Sequence, residues 1–225
     1  MLGHAIAGLL PAALAVALSP IPIVAVVLVL RSPTARRNGP AFAVGWVAGL
    51  SLVSAVVIGL ASEAGEPDSS AAMGVSWVTT AIGVLLLVMA ALEWKKRPRP
   101  GETAEMPAWM ARVDSVSAPR TLVLGAALSG ANPKNLALTA AAAGAIAQAG
   151  LSAGDETIAV AAFVVIGSFT VVGAVVSFLV APRRVEGPLG VVRQFMADNN
   201  ATIMMVVLLL LGAKFVGDGL SGLWS

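Results

Sequence analysis

Two segments of this chain carry polar groups where the surrounding residues are almost wholly apolar. The first is Ala17-Leu18-Ser19-Pro20-Ile21-Pro22; the second is Ala127-Leu128-Ser129-Gly130-Ala131-Asn132-Pro133-Lys134-Asn135. Ser19 before Pro20 and Asn132 before Pro133 read as a helix N-cap followed by proline at the first helical position. A helix that starts there turns its free amide groups and the positive end of its dipole toward the break. That arrangement binds a carboxylate or phosphate oxygen. Lys134 adds a full positive charge. The candidate binding residues are therefore Ser19, Pro20, Pro22, Asn132, Pro133, Lys134 and Asn135.

Lys214 and Asp218 form a second polar pair. Four residues apart on one helix, they neutralise one another, and a structural role competes with one as a secondary or coupling site. The chain has no cysteine and one histidine, His4, so neither a metal centre nor a cofactor is expected. The apolar stretches hold no nucleophile-base set and no phosphate-binding glycine motif, so an enzyme is not expected.

The elements that position these residues follow from composition. Of 225 residues, 58% are apolar and 12% charged, and the mean hydropathy is +0.90. A soluble domain carries roughly 25% charged residues, so this is an integral membrane protein. Apolar stretches near the roughly 20 residues that cross a hydrocarbon core lie near 5–30, 40–62, 73–94, 120–148, 156–180 and 201–223. In the fourth, Asn132 to Lys134 fall about 18 to 21 Å from the start, near mid-membrane. A lysine there costs roughly 2.5 to 3.5 kcal/mol on insertion scales, which makes function the default reading. The competing readings are a packing kink at Pro20 or Pro22, and a lysine that only satisfies carbonyls of the broken helix.

Twelve of the fourteen Lys and Arg residues lie in three loops: Arg31, Arg36 and Arg37; Lys95, Lys96, Arg97, Arg99, Arg112 and Arg120; Arg183, Arg184 and Arg193. The intervening loops carry Glu63, Glu66, Asp68, Asp155 and Glu156. The positive-inside rule puts the basic loops in the cytoplasm and both termini outside, in a multi-pass cell-membrane protein. No basic aromatic surface suggests nucleic acid.

Three spans per half oblige the second half to enter from the opposite face. The expected fold is an all-α integral membrane protein of six transmembrane helices in two inverted three-helix repeats, with helices one and four broken. The repeats are 1–95 and 120–225. Residues 96–119 form a cytoplasmic linker in which Trp109, Met110, Val113 and Val116 suggest a short interfacial helix, and Phe195-Met196 suggests another. Gly45-x-x-x-Gly49 permits close packing within or between chains, and a homo-oligomer is a candidate assembly.

The Pro-x-Pro of the first span and the Asn-Pro-Lys of the fourth resemble the lysine exporter superfamily of six-helix transporters. Ala17-Leu18-Ser19-Pro20-Ile21-Pro22-Ile23, Trp109-Met110, Asn132-Pro133-Lys134-Asn135-Leu136 and Gly212-Ala213-Lys214-Phe215-Val216-Gly217-Asp218-Gly219 resemble its GAP branch, the Sap-like lipid-addressing proteins of actinobacteria. Ile21 departs from the glycine that the amino-acid exporters tend to carry between the prolines. The resemblance implies movement of an envelope lipid or glycolipid toward the cell exterior, with that lipid and the bilayer as partners. The alternatives are export of amino acids or other small metabolites, and a non-transporting scaffold for a lipid-synthesis partner.

Overall fold

Pro20 and Pro22 lack the amide hydrogens that the carbonyls of Val16 and Leu18 would accept from, and two such losses within three residues favour a break in the first apolar run. Pro133 does the same to the carbonyl of Ser129. The computed structural model describes residues 1–63, 69–95 and 116–224, and both interruptions are present. The described residues form nine helices and no strand: α1 Leu2–Ala17, α2 Pro20–Arg31, α3 Ala35–Glu63, α4 Ser69–Lys95, α5 Ala118–Gly130, α6 Pro133–Gln148, α7 Ala153–Val180, α8 Pro182–Asp198 and α9 Asn200–Leu223. The side chain of Glu63, residues Glu66, Asp68, Lys96, Arg97, Arg99 and Arg112, and the Trp109, Met110 and Val113 segment lie outside the described residues.

Six crossings were expected. Four described helices are long and apolar enough to cross a membrane, within α3, α4, α7 and α9, and α1 with α2 makes a fifth as a span bent by 52°. The sixth expected span, 120–148, is the pair α5 and α6, which is not in that set. Its two short helices carry Arg120, Asn132, Lys134, Asn135 and Gln148, which dilute the apolar character.

Small residues decide the pairing of the helices. Gly45 and Gly49 of α3 lie against Leu122, Ala126 and Ser129 of α5, and Gly125 of α5 lies against Phe42 and Trp46. The Gly45-x-x-x-Gly49 motif thus packs within the chain, where a Cβ at either position would strike backbone. Both helices advance in step, so α3 and α5 run parallel. Gly83 of α4 meets Gly212 and Val216 of α9, whereas Thr80 and Ser76 meet Gly219, so these two run antiparallel. Val16 of α1 packs on Gly167 of α7. Exchanging the two halves of the chain swaps the α1–α7 pair with the α5–α3 pair and leaves the α4–α9 pair unchanged.

This arrangement gathers the basic helix ends together. The Asn38 side chain donates to the backbone carbonyl of Val116 at 2.7 Å, tying the start of α3 to the start of α5. Leu30 and Val175 meet at Gly39, and Arg31 lies beside Gly190. Arg31, Arg36, Arg37, Lys95, Arg120, Arg183, Arg184 and Arg193 therefore share one end of the bundle, with Asp155 and Glu156 at the other. Between the ends the outer surface is apolar, with Val44, Leu52, Val56, Leu85, Val165, Phe169 and Leu210 all exposed. Such a belt suits hydrocarbon rather than water.

Candidate ligand site at the two helix breaks

Each break frees carbonyls, and the other half of the chain supplies most of their donors. At the first break the Ser19 N–H turns to Val16 O, 3.2 Å away, which leaves Ala15 O without its helical donor. Lys134 Nζ donates to Ala15 O at 2.8 Å. One residue pair further on, Thr170 Oγ1 of α7 donates to Ala17 O at 2.6 Å. At the second break the Asn132 N–H turns to Ala127 O, and Leu128 O is left free. The Asn135 side chain reaches back to it, Nδ2 donating at 2.9 Å.

The same Asn135 joins the two breaks. Its Oδ1 accepts from Ser19 Oγ at 2.9 Å. Ser19 Oγ also stands 3.4 Å from Ala15 O, but a hydroxyl has one proton and the shorter contact is the better bond.

Asn132 caps α6 as expected, its Oδ1 accepting from the Lys134 N–H at 3.1 Å. Ser19 does not cap α2, although it occupies the N-cap position. Pro22 stands where the third amide of the helix would be, so a serine cap has lost one of its two usual donors and the hydroxyl turns to Asn135. Ser19, Pro20, Pro22, Lys134 and Asn135 are buried, Asn132 is half-buried and Pro133 is exposed. The structure thus brings Ser19, Lys134 and Asn135 together, whereas Lys214 and Asp218 bond each other on the exposed side of α9. Neither hydrogen-bonds to the break residues.

Lys134 is 1% exposed, and no carboxylate among the described residues lies within ion-pair distance. An ammonium has three donors, and Ala15 O takes one. The starts of α2 and α6 add two positive dipole ends, with the Ile21 and Asn135 amides left over after Ile23 N and Leu136 N bond Ser19 O and Asn132 O. The result is a buried, positively polarised spot in mostly apolar surroundings. Ser129 is fully buried on Gly49, and Val16 on Gly167; both glycines lie roughly halfway along their helices. Thr139, one turn beyond Asn135, is buried with no hydrogen-bond partner for Oγ1, as is Ser168 Oγ on α7. Thr170, Thr139 and Ser168 escaped sequence reasoning because a lone hydroxyl in an apolar helix carries no periodic signal.

An all-helical chain with an apolar belt, several membrane-length helices and a lysine buried at a broken span is a multi-pass membrane protein. The model of the family described as Sap, sulfolipid-1-addressing protein, matches residues 9–221, and the chain belongs to that family. No curated protein and no solved structure matches the chain.

Proposed function

We propose that this protein is a carrier or flippase, not an enzyme, that moves an anionic envelope lipid or glycolipid toward the cell exterior. Its headgroup meets Lys134, Asn132, Asn135 and Ser19 near mid-membrane. The observation that carries this reading is the burial of the Lys134 ammonium with one backbone partner and no carboxylate among the described residues. A charge so placed is costly, and an anionic group gives it a use. The family description names a sulfolipid, whose sulfate is such a group.

Six crossings in two inverted repeats, 1–95 and 120–225, complete the reading. In it α5 and α6 together make the fourth crossing, covered from lipid on one side by α3 and α1. The exchange symmetry of the helix pairs supports this, as do two breaks that face one another at the same level. The basic end faces the cytoplasm and both termini face outward, in the cell membrane. Because Lys134 is sealed, the cycle opens it alternately to each side. Resemblance to the GAP branch of the lysine exporter superfamily agrees with a lipid cargo, and Ile21 argues against an amino acid.

The test uses purified protein in liposomes holding a fluorescent sulfated glycolipid, quenched from outside by dithionite. Wild-type protein is expected to expose the inner-leaflet lipid, and Lys134→Ala to reduce the rate toward that of empty vesicles while remaining folded. Unchanged transport by the variant sinks the role of Lys134. Efflux of labelled amino acids instead of lipid favours the small-metabolite reading, and no movement of either favours a scaffold.

A further inference from the structure

α8 joins α7 to α9 at the basic end of the bundle, and no residue of it is fully buried. At 100° per residue, Val185, Pro188, Leu189, Val192, Phe195 and Met196 share one side of it. Leu189 packs on the core, whereas Val192 and Phe195 are 41% and 56% exposed, an apolar edge suited to the boundary of headgroups and acyl chains. The opposite side faces the end of α2 across an open cleft of about 620 Å³, lined by Arg31, Arg183, Glu186, Gly190, Arg193 and Gln194 among others.

The charge of this cleft is unspent. Three arginines stand against one glutamate, and no ion pair joins them among the described residues. Arg193 Nε is shielded from solvent and has no hydrogen-bond partner. Gly190 faces into the cleft: a Cβ there would stand 3.6 Å from Arg31 Nη1, an ordinary contact, and a longer side chain would project between the arginines.

We infer that this cleft binds the phosphodiester headgroup of an anionic phospholipid in the leaflet that faces the basic end. The guanidinium groups of Arg31, Arg183 and Arg193 take the phosphate oxygens, and the acyl chains descend along the exposed edge of Val192 and Phe195. Arginine forks match phosphate geometry, and a surface arginine beside an anionic leaflet adds attraction of its own. The site is distinct from the buried cluster at the breaks. α2, with 12 residues, separates the two by roughly 18 Å. The inference shares with the proposed function only the membrane setting of the basic end.

The experiment is native mass spectrometry of the purified protein titrated with phosphatidylglycerol or phosphatidylcholine. Wild-type protein is expected to retain phosphatidylglycerol preferentially. Arg31→Gln with Arg193→Gln should weaken that binding by about thirtyfold. Gly190→Leu, which pushes a bulky side chain between the arginines without changing charge, should weaken it as well. Arg36→Gln with Arg37→Gln, an equal loss of charge outside the cleft, should stay within about twofold of wild type. The readout is retention of phosphatidylglycerol lost on changing Arg31 and Arg193, not movement of a sulfated glycolipid, so failure of the transport reading and failure of this one are separable. Equal losses in the two double variants, full binding by Gly190→Leu, or no preference over phosphatidylcholine would each overturn the site. Complete displacement by millimolar inorganic phosphate would overturn the lipid and leave a free-anion site.

Discussion

Ser19 Oγ donates to Asn135 Oδ1 at 2.9 Å across 116 residues of sequence, so a side-chain hydrogen bond ties the two broken helices at their turning points, beside the bond that Lys134 Nζ gives Ala15 O. Asn135 also holds Leu128 O, and the two bonds make it the hinge pin of both breaks.

A double-mutant cycle should register that bond. Ser19→Ala and Asn135→Ala are each expected to lower Tm, Asn135→Ala more, because it leaves Leu128 O without a donor. Their coupling should be about 0.6 kcal/mol and no more than about 1.7, the range for hydrogen bonds between membrane helices. Strict additivity in thermal unfolding of the purified variants would remove the bond.

The α3–α5 contact should be the least tolerant of added volume. Gly125→Val places methyl groups against the backbone carbonyl of Phe42, and overpacking of this kind costs about 1 to 3 kcal/mol. Gly217→Val, on the open side of α9 with nothing within 4 Å of an added Cβ, should leave Tm within a degree or two. Equal sensitivity at the two positions in a thermal melt contradicts the packing described.

Half-buried Thr170 and buried Thr139 should respond differently to the same isosteric change. Thr170→Val strips Ala17 O of its donor and should cost about 1 kcal/mol. Thr139→Val removes a hydroxyl that bonds nothing and should leave stability unchanged or raise it. If Oγ1 of Thr139 contacts cargo, that variant loses lipid transport without losing Tm, a separation that reads function directly.

The absence of native cysteine makes topology accessible to single-cysteine labelling. Ser152→Cys should react with an impermeant maleimide added outside intact cells, and Arg36→Cys only after the cytoplasmic side is opened. The reverse pattern would invert the bundle in the membrane.

The polar residues beside the prolines made the breaks legible, since Pro11, Pro40 and Pro188 sit inside helices that continue through them. Lys134 was legible for a similar reason: a charge in an apolar run has few innocent explanations. The partner of each carbonyl was not legible, because Thr170 and Ala17, or Lys134 and Ala15, meet only after folding. Ser19 looked like a cap, and the second proline that made the motif recognisable is also what denies it that role. α8 was foreseen only at Phe195 and Met196, because Gly187, Pro188 and Gly190 punctuate it as a loop would be. The glycines at 45 and 49 announced a close approach, yet their partner on α5 came from tertiary geometry.

The α4–α9 pair, held together by glycines and touching the other helices sparingly, has a consequence for assembly. α4 enters the membrane early in synthesis, with Gly83 and Leu87 facing no permanent neighbour until α9 emerges after residues 96 to 199 have been made. Until α9 is made that face of α4 has no partner from this chain, so the α4–α9 seam closes late in synthesis, and variants that weaken it should be cleared as newly made chains.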